Sequence, residues 1–229
     1  MSTIVYWACF DDEWLRAKEP RSVLKDFIGE KKSTNIKLNF CPAFKNYLNN
    51  VYKLQSIYDY EFEIKNNDTV SSTYNQDFFD KHVEIRSLED SAFSFTQHWI
   101  FFTEEDSLEL SLSAPILEDS YMAKNCIFIP GKFDIGKWFR VLDLAFYLRE
   151  GVNSFQIKEN DVISYLTFNT NQKIIFKQFV INNEIKEYID AVNSSKSNRK
   201  IKSRKINEYY SIFKNKKRII KEIKNNLIE

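Results

Sequence analysis

The sequence predicts a mainly β fold, α+β by count of elements. We expect an antiparallel, jelly-roll-like β-sandwich body with a few short helices and a C-terminal amphipathic helix. Several segments alternate apolar and polar residues with a period of two, which is typical of strands that bury one face. Aromatic residues are frequent, with 20 Phe, 12 Tyr and 4 Trp among 229 residues, whereas only 4 Gly and 4 Pro occur. Helical patterns are few, so packed sheets are favoured.

Alternation is clearest in three segments. Within residues 52–64 nearly every even-numbered residue is apolar or aromatic and most odd-numbered residues are polar, which predicts one long strand. A second strand is predicted to bury an aromatic face, namely Phe93, Phe95, Trp99 and Phe101. A third is predicted to bury leucines that alternate with polar residues, namely Leu108, Leu110 and Leu112.

Shorter apolar runs predict the remaining strands. Residues 4–10 and 126–129 fit buried strands. Residues 155–179 contain three apolar runs that are separated by polar turns at residues 159–161 and 169–172. This order predicts successive hairpin strands.

Helical patterns occur at residues 19–29, 43–50 and 184–192 and again at the C-terminus. In the last pattern apolar residues recur at three- and four-residue spacings, with Lys216 in the one remaining position, which predicts an amphipathic helix with a basic outer face. These residues are Ile206, Tyr209, Phe213, Ile220, Ile223 and Leu227.

The chain is predicted to have three parts. A β-sandwich body covers residues 1–192, a basic polar linker covers residues 193–204, and the C-terminal helix covers residues 205–229. The formal net charge of +1 comes from 33 basic and 32 acidic residues. Residues 195–229 hold twelve basic and three acidic residues, a net of +9, which leaves a net of −8 on the rest. The sequence therefore predicts an acidic body with a basic tail.

Several classes of protein are excluded by the sequence. No apolar run approaches the roughly 18 residues of a membrane span. Residues 1–14 lack the basic start of a signal peptide, so we expect none. Cys9, Cys41 and Cys126 are odd in number and lack CxxC spacing, which argues against a disulfide framework or a zinc knuckle and indicates a reducing cytoplasm. No cofactor is predicted.

Four segments resemble one group of proteins. They are CPAF from Cys41, WIFFTEEDSLELSLSAPILED from Trp99, IPGKFDIGKWFR from Ile129 and DVISYLTFNT from Asp161. Over roughly residues 35–179, and more loosely in the Lys-rich tail, the chain resembles an uncharacterised family of proteins from tailed phages of marine cyanobacteria. The resemblance implies a viral origin and a place in the host cell cytoplasm or in the virion. It implies no particular activity.

A second, local resemblance concerns residues 155–168. The strand, acidic turn and second strand there are similar to the β-clip core of the trimeric dUTP pyrophosphatases. The catalytic Gly-rich and Asp/Tyr motifs of that family have no counterpart in this sequence. The resemblance therefore implies a hairpin shape and no activity.

His82, His98 and Glu104 are the candidates for a metal site, although no metal is predicted outright. Two imidazoles and a carboxylate can hold a divalent ion when strands bring them together. The two histidines are sixteen residues apart and no third one exists, so a cupin-type site does not fit. The alternative is that both histidines lie at the surface or rim.

The segment 129–140 is the candidate binding surface of the body. Lys132, Lys137 and Arg140 are expected to be exposed, and with Trp138 they can bind an anion or stack on a base. Two glycines here indicate backbone with positive φ. The alternative is a structured loop whose aromatic residues close one end of the sandwich.

Basic residues of the tail give the strongest signal for a binding function. Dense Lys and Arg on one helix attract phosphate backbones or an acidic surface. The candidates are Arg199, Lys200, Lys202, Arg204, Lys205, Lys217 and Arg218. Three interpretations remain open: residues 196–224 bind nucleic acid, they bind an acidic protein or form a short coiled coil, or they fold back onto the acidic body.

Three functional hypotheses follow. The leading one is a non-enzymatic phage accessory or assembly protein that binds a viral or host protein through its sandwich and its basic tail. The second is a small metal-binding or enzymatic sandwich that uses His82, His98 and Glu104. The third is a nonspecific nucleic-acid-binding protein.

Overall fold

The computed structural model describes residues 2–10, 14–30, 41–65, 69–72, 75–197 and 216–228 of the chain. These residues form fourteen strands and six helices. The strands are β1 (Ser2–Cys9), β2 (Arg21–Ser22), β3 (Val51–Gln55), β4 (Tyr60–Lys65), β5 (Thr69–Ser72), β6 (Val83–Ser87), β7 (Ala92–Thr103), β8 (Glu109–Ser113), β9 (Cys126–Ile129), β10 (Gly131–Asp134), β11 (Val141–Leu148), β12 (Ser154–Ile157), β13 (Val162–Phe168) and β14 (Lys173–Gln178). The helices are α1 (Val23–Glu30), α2 (Pro42–Tyr47), α3 (Gln76–His82), α4 (Tyr121–Asn125), α5 (Asn183–Ser197) and α6 (Lys216–Asn225).

The strands form three sheets that are antiparallel except for one strand pair. The six-stranded sheet has the order β14-β1-β7-β11-β9, with β6 also paired to β7. The five-stranded sheet has the order β10-β8-β13-β3-β2, and the three-stranded sheet has the order β12-β4-β5. The exception is the parallel pair β1 and β14, in which Ser2 lies opposite Lys173. The prediction of an antiparallel β-sandwich with short helices is confirmed.

The main core fills the space between the six-stranded sheet and the other two sheets. The predicted aromatic face of β7 lies in it and is fully buried. Phe155 of β12 joins the two layers, because its ring stacks on Phe62 of β4 at 4.9 Å and on Phe146 of β11 at 5.0 Å. Stacked and edge-on aromatic pairs at such distances add to the stabilisation from burial alone.

A second apolar cluster covers the outer face of the six-stranded sheet. It joins alternate residues of β1 and β7 to isoleucines of α5 and α6. Its members include Tyr6, Ala8, Ile100, Phe102, Ile185, Ile189, Ile219, Ile220 and Ile223. The C-terminal helix therefore packs on the body.

The helices differ from the prediction in their bounds. α5 continues five residues into the predicted linker, whose remaining residues 198–204 lie outside the described part of the chain. Of the predicted helix over residues 205–229, residues 216–225 form α6, and residues 205–215 again lie outside the described part. The prediction is wrong for residues 226–228, which pair with the end of β14 instead of continuing the helix. None of the helices formed by described residues has both the length and the apolar content that a membrane crossing needs.

Two short helices, α3 and α4, were not predicted. Each begins at a capping side chain: Asn75 accepts a hydrogen bond from Phe78 N–H at 2.8 Å, and Ser120 accepts one from Ala123 N–H at 3.3 Å. Such caps satisfy a backbone donor at the start of a helix. One or two turns give too short a periodic pattern to be recognised in the sequence.

The single strand predicted over residues 52–64 is wrong. β3 ends at Gln55, β4 begins at Tyr60, and the two belong to different sheets. Strict alternation of buried and exposed residues holds in β4. It fails in β3, where Lys53 is buried together with Leu54.

The predicted hairpins at residues 155–179 are also wrong, although all three strands exist. β12 pairs with β4, whereas β13 pairs with β3 and β8, and β14 pairs with β1. The hairpin shape implied by the resemblance to the β-clip is therefore not formed by residues 155–168. Polar turns mark where strands end, but they do not decide which strand is the partner.

Candidate binding groove at the open edge of the sandwich

A cavity of about 910 Å³ opens at one edge of the sandwich. One wall is formed by β14 and the turn before it, and the other by β2, α1 and residues 48–50. A second cavity of about 740 Å³ continues along β14 to α6 and shares Glu19 and Phe176 with the first. The two cavities together are called the edge groove below.

Asn50 fixes the start of β14 at the groove. Its φ of 52° lies in the left-handed region, which asparagine tolerates better than most residues. Its side-chain Nδ2 donates to the carbonyl oxygens of Thr170 at 2.7 Å and Gln172 at 2.9 Å. The turn that precedes β14 is thereby tied to the start of β3.

Among the described strands, none pairs with the side of β14 that faces the groove. Phe179 N–H donates to Trp7 O at 3.0 Å, so the odd-numbered residues of this strand direct their main-chain groups towards β1. Main-chain groups of successive residues in a strand point in opposite directions. The N–H and C=O groups of Ile174 and Phe176 therefore point away from β1 and towards the groove.

C-terminal residues occupy the far end of the same edge. Ile228 N–H donates to Gln178 O at 3.0 Å, and Val180 N–H donates to Asn226 O at 2.9 Å. Residues 226–228 thus add a short antiparallel strand next to the end of β14. The part of the edge that contains Ile174 lies beyond this addition.

Basic side chains outnumber acidic ones along the edge groove. Lys173 and Lys177 of β14 are exposed, and within the described part of the chain neither forms an ion pair. Lys224 is held by Glu104, with Nζ 2.7 Å from Oε2. Among the described residues, the charged lining consists of Arg21, Lys25, Lys173, Lys177 and Lys224 against Glu19 and Asp26.

Two groups on the groove wall bind their protons more tightly than usual. Burial raises the pKa of the Glu19 carboxyl, although the charge of Lys25 opposes the shift. Burial also raises the pKa of the Tyr52 phenol, and the charge of Glu19 acts in the same direction. Both shifts indicate that this part of the groove is less well solvated than open surface.

The structure brings His82 and His98 together but separates Glu104 from them. The two ring centroids are 5.3 Å apart, and Nδ1 of the buried His82 lies 2.9 Å from Phe78 O. Glu104 follows the end of β7, where it accepts hydrogen bonds from Tyr6 Oη at 2.5 Å and Lys224 Nζ at 2.7 Å. Across the described residues, no three or more His, Cys, Asp or Glu side chains are grouped to hold a metal ion. The three candidates do not form one site.

The candidate surface at residues 129–140 is only partly exposed. Trp138 and Arg140 are each 8% exposed, and the Arg140 guanidinium lies 4.9 Å from the Trp138 ring centroid. An ion pair of 3.1 Å joins Arg140 to Asp143. The expectation that Arg140 is exposed is wrong, because its guanidinium is buried between Trp138 and its ion-pair partner Asp143.

The two exposed lysines of this segment have carboxylate partners. Lys132 lies 2.7 Å from Glu109, and Lys137 lies 2.8 Å from Asp134. The structure thus favours the alternative of a structured loop.

The glycines of this segment have a different role from the predicted one. Neither Gly131 nor Gly136 has a positive φ. A Cβ at Gly136 would lie 2.5 Å from Glu105 O, so Gly136 is needed for the close approach of two backbones.

The structure describes only two of the basic tail residues that the sequence suggests for binding, Lys217 and Arg218. Arg218 pairs with Glu184 of α5 at 2.5 Å, whereas Lys217 is exposed. Lys216 Nζ donates to the carbonyl oxygen of Glu105. For α6 the structure thus agrees with the interpretation that the tail folds back onto the acidic body. Outside the described residues lie Arg199, Lys200, Lys202, Arg204 and Lys205.

Sequence reasoning did not single out the groove residues. The apolar run between Lys173 and Lys177 predicted a strand, and nothing in that run indicated that the strand lies at an edge. Edge position depends on which strands pair, and β14 pairs with β1, about 170 residues earlier in the chain.

No protein family model and no curated protein matches this chain.

Proposed function

We propose that this protein is a non-enzymatic interaction module that binds a protein partner in the edge groove. The single observation that supports the proposal is the groove itself, which runs beside the edge of β14, where the main-chain groups of Ile174 and Phe176 that point away from β1 have no partner among the described residues. Sheet edges of this kind are templates for pairing with another chain unless they are covered. A sizeable concave site with a few placed polar groups is also the usual form of a binding site.

Chemistry of the groove lining supports a polypeptide ligand. Apolar surface comes from Leu24, Ile175 and Phe176, and hydrogen-bonding groups come from Asn49 and Gln172. Protein interfaces combine apolar and polar contacts in this way. The excess of basic side chains adds a preference for a partner with negative charge.

The sequence resemblance supports a viral setting for this module. We propose a phage accessory or assembly protein that acts in the host cell cytoplasm or in the virion, with a viral or host protein as partner. The nucleic-acid hypothesis for residues 196–224 stays a prediction, and three of the described basic residues there contact the body instead.

A photo-crosslinking experiment tests the proposed function. Benzoylphenylalanine replaces Lys25 on α1 or Ile175 on β14, which both line the groove, and a control variant carries it at the exposed Asp77 of α3. After irradiation in a lysate of infected host cells, we expect one discrete product from both groove positions and none from position 77. Equal crosslinking at position 77, or none at either groove position, would contradict the proposal.

A further inference from the structure

We infer that the edge groove binds an extended, acidic segment of a partner protein as an added strand along β14. The inference rests on the proposed function and names the binding mode and the chemistry of the partner. In strand addition, main-chain hydrogen bonds give affinity, and contacts of alternate side chains give specificity.

Main-chain geometry fixes where the added strand pairs. Ile174 and Phe176 each direct one N–H and one C=O away from β1, and the carbonyl of Gln172 next to them is already bound by Asn50. An extended segment beside β14 therefore has two donors and two acceptors to pair with. Backbone groups that pair in this way require no particular side chain in the partner.

The chain itself shows that this edge accepts another strand. Residues 226–228 pair antiparallel with residues 178–180 through two hydrogen bonds of 2.9 and 3.0 Å. A partner segment at Ile174 and Phe176 would continue the same added strand along β14. Its side chains on one face would meet the first cavity, whose wall includes Leu24 and Tyr52.

Charge selects an acidic partner. Lys173 and Lys177 are four residues apart on β14 and so lie on one face, about 13 Å apart at the usual rise per residue. A strand paired with β14 places side chains about 5 Å from those directly opposite. Acidic residues four apart would lie opposite the two lysines.

A residue pattern for the partner follows from this register. The two positions opposite Ile174 and Phe176 face the cavity and favour apolar side chains. The expected segment is therefore an acidic residue, an apolar residue, any residue, a second apolar residue and a second acidic residue. This order is the same in both chain directions.

Labelled peptides on the full chain test the charge preference. The probe has the sequence Thr-Glu-Val-Thr-Val-Glu-Thr, and the comparison peptide has Lys in place of both Glu. We expect the Glu peptide to bind more tightly, and the double variant K173E/K177E to lower its affinity by at least about tenfold. The variant K158E/K221E makes the same charge change outside the groove and should leave the affinity unchanged.

Peptide N-methylation tests strand addition. A methyl group on an amide that pairs with β14 removes a hydrogen bond, whereas one on the next amide points to solvent. We expect affinity to be lost at alternate positions only. Hydrogen exchange should slow on peptide binding at the amides of Ile174 and Phe176, and not at Ile175, which is already paired with β1.

The peptide tests have outcomes that contradict strand addition and outcomes that separate it from the proposed function. No binding of the Glu peptide at millimolar concentration, equal binding of the Lys peptide, or loss at every methylated position would overturn the inference. Lysines at a sheet edge also prevent self-association, and an effect of K173E/K177E on oligomeric state alone would point to that role. If the groove positions still crosslink a partner while the peptide tests fail, the proposed function stands and the added strand does not.

Discussion

Lys53 shows what a single residue contributes to this fold. Its side chain lies on the outer face of the five-stranded sheet and is 6% exposed. Its ammonium group is 3.0 Å from Glu118 and 3.4 Å from Asp26. Tyr165, which lies opposite Lys53 on β13, donates to Glu118 at 2.9 Å. Burial and the charge of Glu118 raise the pKa of that phenol, so it stays a donor.

We expect Lys53→Met to lower the free energy of unfolding by about 3 kcal/mol, because it leaves the partly buried Glu118 without its cation and Asp26 with only the exposed Arg21, at 3.5 Å. Lys65→Met is the matched control, since its ion pair with Glu63 is exposed on both sides and should change stability by less than about 0.5 kcal/mol. Urea unfolding of both variants measures the difference. Equal stability of the two variants would mean that Lys53 is not needed to neutralise the cluster.

At the scale of elements, α6 is attached to the sheet by apolar packing and by charge. Ile219 and Ile223 are fully buried against the outer face of the six-stranded sheet. Glu104 accepts hydrogen bonds from Lys224 of α6 and from Tyr6 of β1. These bonds hold the pKa of Glu104 below its usual value, with the bond to Lys224 as the main cause.

Glu104 makes the attachment of α6 depend on pH. A carboxyl whose pKa is lowered in the folded state stabilises the fold above its unfolded pKa, about 4.3 for Glu, and loses that effect as the pH falls through the folded value. Glu104→Gln should therefore lower Tm at pH 7, and this difference should disappear as the pH falls through the lowered pKa of the folded Glu104 carboxyl. Glu150→Gln, at an exposed position, is the control. A gap between wild type and Glu104→Gln that is constant with pH would contradict the assignment.

At the scale of the whole molecule, the six-stranded sheet is shared by two cores. Its inner face packs on the other sheets, and its outer face packs on α5 and α6. A chain ended at Asn193 would lose α6 and uncover residues such as Tyr6 and Phe102. Functional tests of the tail therefore need substitutions of exposed residues such as Lys217 instead of truncation.

Because the two cores share the six-stranded sheet, we expect the body and the C-terminal helix to unfold together. Ile223→Ala on α6 and Leu166→Ala in the main core should each cost about 3 kcal/mol and should both shift the same single transition. Lys221→Ala on the exposed side of α6 should change stability by less than about 0.5 kcal/mol. Calorimetry that resolves a separate, earlier transition only for Ile223→Ala would support the three-part division predicted from the sequence.

Local patterns were enough to predict most of the strands. The aromatic face of β7 and the leucines around β8 are buried as their alternation indicates, and the apolar run of β13 is buried almost throughout. The prediction of a buried strand at residues 126–129 is wrong, because Ile127 and Ile129 of β9 are exposed. Within a strand the period of two is fixed by the backbone, so the buried face is visible in a few neighbouring residues. The amphipathic face of α6 was visible for the same reason, at the helical period.

Pairing of the strands and the candidate groove were decided only by the tertiary structure. β12, β13 and β14 follow one another in sequence but belong to three sheets. The groove needs β14 to lie at an edge and β2 to face it, and these contacts join residues more than a hundred positions apart. Alternation specifies which face of a strand is buried, and it contains no information on the neighbouring strand, because any strand offers the same main-chain groups to a partner.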